Sequence, residues 1–183
     1  FKETGSTVIR LAPEYSSSGL PNWQSVRAVF DYLEKLISEG RAKAIWSVEN
    51  GGVAEGLAKM AFGNHIGFEF TKVLPERVLF EPCAGSFIVE LNGAAKQGEE
   101  VIGRTTEQYK IFSGTQTISL DTLQKAWEGK LESVFPCRIK TAFATIESYT
   151  HKANTRPVSA IKTAKPRVLI PVFPGTNCEY DTA

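Results

Sequence analysis

Histidine, methionine and cysteine are scarce in this 183-residue chain, which holds two, one and three of them. Cys83, Cys137 and Cys178 lie far apart, are odd in number and form no CxxC pair. That argues against a disulfide framework and against a zinc site, and the simple reading is a reducing, cytoplasmic compartment. An excess of charge of one sign is also missing. Twenty-one basic residues stand against 20 acidic ones, a net charge of +1, so there is no electrostatic case for nucleic acid or an anionic membrane surface. No apolar run approaches the ~18 residues a membrane span needs, and nothing at the N-terminus has the pattern of a signal peptide. An initiator methionine is absent at Phe1, and the chain stops at Asp181-Thr182-Ala183 directly after a strand-like run and a turn. Both ends are expected to be cuts in something longer.

What is present suffices for a core: 42% of the residues are hydrophobic, and the length suits one main domain with an appendage. Thr7 to Leu11 reads as a strand. Pro21 and Asn22 open a helix in which Trp23, Val26, Val29, Phe30, Leu33, Leu36 and Ile37 form one apolar stripe, with Gly40 placed to end it. Ala42 to Val48 reads as a buried strand, and Val53, Leu57, Met60 and Ala61 mark a second helix ending near Gly63. Alternation predicts a half-buried strand over Ile66 to Phe70. Phe87 to Leu91, Val101 to Thr105 and Tyr109 to Phe112 are further strands, with turn signals at Asn92-Gly93 and Ser113-Gly114. A third helix is expected from Asp121, with Gln124 three residues on as in a capping box and Leu123, Trp127, Leu131 and Val134 as its buried stripe. Thr150 to Lys165 is polar and reads as a linker. Val168 to Phe173 follows as a buried strand. This order predicts an α/β domain, bordering on α+β, with a mixed sheet carrying helices.

The segment Ser47-Val48-Glu49-Asn50-Gly51-Gly52-Val53-Ala54-Glu55 joins a strand to a helix. Two glycines allow a sharp turn and close approach of a ligand, and the helix start offers free N–H groups and a positive dipole end to an anion. The alternative is equally physical: the glycines only permit a tight turn, and on the motif alone that reading is favoured. The stretch SVENGGVAEGLAKMAFGNHIGFEF, with LFEPCAGSFIVEL and VIGRTT after it, resembles the C-terminal domain of the aminoimidazole ribonucleotide synthetase superfamily over roughly residues 1 to 136. That superfamily carries a His-Asp-Val-Ser-Asp-Gly-Gly-Leu turn. Here Trp46 stands in place of the His, Ser47 and Asn50 in place of the aspartates, Gly51 and Gly52 match, and Glu49 falls one place early. Ser and Asn neither hold Mg²⁺ nor act as a base well. The resemblance therefore implies phosphate- or nucleotide-binding candidates at Glu49, Asn50, Gly51 and Gly52, with no catalytic residue and no metal ligand. His65 reads as a helix-end or surface residue, His151 as solvated, and Glu81 as structural or at a rim.

The tail KPRVLIPVFPGTNCEYDTA resembles the first strand and turn of the glutaminase domain in the phosphoribosylformylglycinamidine synthase family, with Thr176 or Asn177 capping the next helix. Cys178 has no later His to partner it, as a triad nucleophile requires, and reads instead as a small buried residue. The resemblance divides the chain into an aminoimidazole ribonucleotide synthetase-like C-terminal domain at 1–136, a linker at 137–166 and the severed start of a class I glutamine amidotransferase domain at 167–183. It implies a fragment, inactive alone, of an ATP- and glutamine-dependent ligase that converts formylglycinamide ribonucleotide to the amidine in purine biosynthesis. In that enzyme ATP and Mg²⁺ sit mostly on the N-terminal halves of the synthetase domains, and the partners of this piece are the remaining synthetase and glutaminase domains. A non-catalytic interaction module, or the corresponding domain of another superfamily enzyme, is the alternative. The tail's apolar strand, left without neighbours, invites self-association.

Overall fold

A computed structural model describes residues 1–136, 150, 152, 155, 158, 160, 162–165 and 167–182. Cys137, His151 and most of the expected linker lie outside the described residues. The chain divides into two units, Phe1–Ile139 and Lys140–Ala183.

The first unit contains strands β1 (Thr7–Leu11), β2 (Ala42–Ser47), β3 (Gly67–Phe70), β4 (Phe87–Leu91), β5 (Glu100–Thr106), β6 (Lys110–Ser113) and β7 (Gln116–Ser119), with helices α1 (Trp23–Ser38), α2 (Gly52–Phe62), α3 (Glu76–Phe80) and α4 (Leu120–Glu128). The strands form one sheet in the order β2-β4-β1-β5-β3-β6-β7. Among the described residues only β3 and β6 pair in parallel; the other ladders are antiparallel. This is the mixed α/β arrangement the sequence predicts.

Successive residues of a strand face opposite sides of the sheet, and two cores result. Val8 and Ile88 join Val53, Leu57, Phe68 and Ile102 on the α2 side. Their chain neighbours Ile9, Phe87 and Val89 join Leu33 and Leu36 on the α1 side. β4 is buried along its whole length because it lies inside the sheet and has helices over both faces. Its one charged residue, Glu90, is fully buried. Its carboxylate accepts the backbone N–H groups of Lys2 at 2.7 Å and Glu3 at 3.0 Å, as a buried charge requires.

α1 starts where the sequence places it. The Asn22 side chain accepts the N–H groups of Gln24 and Ser25 at 3.0 and 3.3 Å, and Gly40 at φ +66° takes the left-handed conformation that ends such helices. The predicted stripe is only partly covered. Leu33 and Leu36 are buried, whereas Trp23, Phe30 and Ile37 are exposed, since one helix laid on a sheet hides only the side facing it. Beyond α1, Glu99 ties the helix to the loop entering β5. It accepts Tyr32 Oη at 2.6 Å, Arg41 through two nitrogens at 2.8 and 3.0 Å, and the Lys96 N–H at 2.5 Å. Burial works to raise the Glu99 pKa, but these donors outweigh it and pull it down to about 2.

α4 departs from expectation. It begins at Leu120, one residue early, and Ser119 at its N-cap makes no side-chain cap. Gln124 does not close a capping box. Its amide oxygen accepts Tyr109 Oη at 2.5 Å and its amide nitrogen donates to Glu128 at 2.6 Å; the phenol outcompetes the helix start. Trp127, Leu131 and Val134 are 55, 63 and 80% exposed rather than buried, because the helix lies at the margin of the sheet, against β6, β7 and α2.

In the second unit the described tail contains one short helix, α5 (Glu179–Thr182). The expected turn is present: Thr176 N–H donates to Phe173 O, and Phe173 N–H to Thr176 Oγ1, both at 2.9 Å. The expected buried strand is not. Val168 to Phe173 carries no ladder among the described residues, and Val168, Leu169, Val172 and Phe173 are all exposed. Cys178 is also exposed and has φ +63°, so the buried role expected for it is corrected. Neither Thr176 nor Asn177 caps α5. Thr182 closes the helix on Cys178 O instead, through its N–H at 3.2 Å and its hydroxyl at 2.8 Å.

Candidate functional site

β2 ends at Ser47, and Val48 N–H bonds to Ser86 O at 2.9 Å, which fixes the strand end beside β4. The chain then turns through Glu49-Asn50-Gly51 into α2. Gly52 sits at φ +68°, and a Cβ there would lie 2.4 Å from Leu79 O. The second glycine is therefore required both by conformation and by packing against the end of α3. Its N–H donates to Glu49 O at 3.0 Å. Glu49 and Asn50 are exposed, Gly51 is half-buried and Gly52 is buried.

The N–H of Gly51, the N-cap of α2, is already bonded. It donates to Glu55 Oε2 at 2.8 Å, while Glu55 Oε1 takes Lys59 Nζ at 2.6 Å. The Lys59 hydrogen bond, working against burial, holds the Glu55 carboxyl below its usual pKa, so it remains an anion near neutrality and is a poor general acid or base there. Lys59 in turn lies over two indoles, 5.8 Å from the Trp46 centroid and 5.7 Å from that of Trp127, a cation–π placement. Trp46 lies against Gly56, and its Nε1–H is buried with no hydrogen-bond partner among the described residues.

At the Gly51 N–H a phosphate would thus have to displace the Glu55 carboxylate. The glycine pair, Glu49 and Asn50 come together as one turn. The residues that decide its electrostatics, Glu55 and Lys59, were not singled out from sequence, although their Glu-to-Lys spacing of four on a helix was a readable signal. Beside the turn, an apolar groove of about 580 Å³ runs between α2, α3 and α4, with Phe62, Phe70, Leu79, Ile118 and Trp127 among its walls.

The other candidates lie apart from this turn. His65 is exposed at φ +55°, just past the end of α2, and its ring stacks on Tyr109 at 4.7 Å. Glu81 is exposed after α3. Cys83 accepts a hydrogen bond from Ser86 Oγ at 2.8 Å. Among the described residues no group of three His, Cys, Asp or Glu side chains could hold a metal ion, and no helix is long and apolar enough to cross a membrane.

No family model matches the chain. In an alignment that covers 68% of its length, it is 30% identical to the phosphoribosylformylglycinamidine synthase subunit PurL of Lactobacillus helveticus, of which it covers 18%. The chain thus spans less than a fifth of that relative. Thermotoga maritima PurL complexed with FGAR superposes with a TM-score of 0.52 at 10% identity, covering 66% of this chain and 28% of that one. The same protein complexed with AMPPCP gives 0.52 at 12% identity, over 67% and 26%. At such identities these structures establish a shared fold.

Proposed function

We infer that this chain, a homologue of one segment of phosphoribosylformylglycinamidine synthase, supplies a non-catalytic synthetase-like domain to a purine-biosynthetic ligase. The complete enzyme would take ammonia from glutamine, activate the amide oxygen of formylglycinamide ribonucleotide with ATP, and form the amidine with release of ADP and phosphate. ATP and Mg²⁺ would be held by the other synthetase domains, and the residues after Pro166 would open the glutaminase domain. The parent would work in the cytoplasm.

One observation carries the non-catalytic assignment: Glu55 fills the position at the Gly51 N–H that a phosphate would need. Of Ser47, Glu49 and Asn50 only Glu49 is acidic, and among the described residues its side chain has no hydrogen-bond or ion-pair partner. The turn then serves to join β2 to α2, not to hold nucleotide. Deleting the codons for residues 1–183 in the source cell should produce purine auxotrophy, and continued growth without purines would refute the assignment to this ligase. Titrating the isolated chain with ADP and Mg²⁺ in a calorimeter should give no binding heat at millimolar ligand. Saturable heat that disappears on Gly51→Val would instead restore the turn as a nucleotide site.

A further inference from the structure

α1 carries a second apolar line besides the one it buries. Trp23, Phe30 and Ile37 recur every seventh residue, so at 100° per residue they fall within about 20° of one line along the helix. They are 75, 50 and 55% exposed. The buried Leu33 and Leu36 lie roughly 60° and 120° away round the helix. Phe30 also meets Phe87 of β4 edge-on, with centroids 5.2 Å apart, so the line runs beside the sheet and not along the outermost crest of the helix. On its solvent side stand Arg27 and Glu34, both exposed and, among the described residues, neither engaged in an ion pair.

A seven-residue apolar repeat suits another α-helix as its partner. The charges select which helix and which direction. If two copies of α1 run antiparallel about an axis near Phe30, Trp23 of one faces Ile37 of the other, and Arg27 faces Glu34. A parallel pairing would set Arg27 against Arg27 and Glu34 against Glu34, which costs energy. The line is therefore complementary to itself in one orientation.

We propose that this face of α1 is a docking surface for a second copy of the chain, with the two α1 helices antiparallel. The apolar area offered is roughly 400 Å² per copy, about half of what a standard interface contributes per partner. An interface of that size belongs to the small, transient class, so the dimer is reversible. This inference does not rest on the ligase assignment.

Sedimentation equilibrium of the whole 183-residue chain, over a concentration range from about 1 µM to about 1 mM, tests it. The wild type should show a reversible monomer–dimer equilibrium. Phe30→Glu should abolish it, and so should Trp23→Ser, a residue already mostly in water whose loss leaves the fold intact by circular dichroism. Arg27→Glu or Glu34→Arg alone should weaken the dimer about fivefold, and the two together should return it to within about twofold of wild type, since each pair occurs twice. Changing Leu169 and Val172 to Ser should leave it unaltered. A chain that stays monomeric throughout, a dimer that survives both Phe30→Glu and Trp23→Ser, failure of the double charge swap to restore association, or loss of the dimer on changing the tail would each overturn the proposal.

Discussion

Two apolar runs of this chain have nearly the same chemistry and opposite fates. Phe87-Ile88-Val89-Glu90-Leu91 is buried at every residue, its glutamate included. Val168-Leu169-Ile170-Pro171-Val172-Phe173 carries no ladder among the described residues, and Leu169 is 90% exposed. Hydrophobicity does not separate them; the company each keeps does. β4 pairs with β1 on one side and β2 on the other and packs on both faces, so its apolar area leaves water and its backbone groups find partners together. The tail has the β-branched and aromatic composition of a strand, but a strand is stable only within a sheet.

The largest predicted effect follows from the first half of that comparison. Ile88 and Leu91 are completely buried, one on each face of the sheet. Truncation of either to Ala should cost about 2–5 kcal/mol, through lost burial plus the cavity left behind. Urea denaturation followed by tryptophan fluorescence would measure it. A cost below about 1 kcal/mol for both would mean that β4 is not the packed centre it is described to be.

A smaller effect is expected where the core is held by charge. Arg41→Met leaves the Glu99 carboxylate buried, with a side-chain exposure of 3%, and without its main counter-charge, at an expected cost of about 3 kcal/mol. The same group sets an acid limit. Its folded pKa of about 2 lies below the ordinary glutamate value, so the folded state binds fewer protons than the unfolded chain in between. The stabilisation is complete above the unfolded pKa and drains away as pH falls from about 5 towards 2. The Glu99→Gln variant should show a flatter stability profile over that window; a parallel profile would assign the acid sensitivity elsewhere.

How much of this was readable beforehand depended on whether the signal was local. Asn22 and Gly40 bracket α1 through their own backbone chemistry, and both ends lie where the sequence put them. The Gly51-Gly52 turn was legible for the same reason. Gln124 was misread because its competitor, Tyr109, is remote in sequence and near in space. β7 was missed because Gln116-Thr117-Ile118-Ser119 has one apolar residue; it is a strand by virtue of pairing with β6, not by pattern. The five-residue α3 is too short for a helical period to show. At the candidate site the glycines stood out, whereas Glu55 reaching back to the Gly51 N–H is a matter of rotamer and turn geometry that four-residue spacing alone does not reveal.

The smallest predicted effect tests the tail half of the comparison. Leu169→Ser removes a leucine that is 90% exposed, so no buried area is lost and no cavity forms. Stability of the chain should change by no more than about 0.5 kcal/mol. The backbone N–H groups of Val168, Leu169, Ile170 and Val172 should exchange with solvent near the rate of an unstructured peptide, unlike the Phe173 N–H held by Thr176, whereas those of β4 should exchange only at the cost of opening the sheet. If Leu169→Ser instead destabilised the chain by a kilocalorie or more, or if the tail amides were protected like those of β4, the run would have neighbours after all. The lesson drawn from its composition would then reverse: a strand-like sequence would here be a strand, with its partners supplied from outside the described ladder.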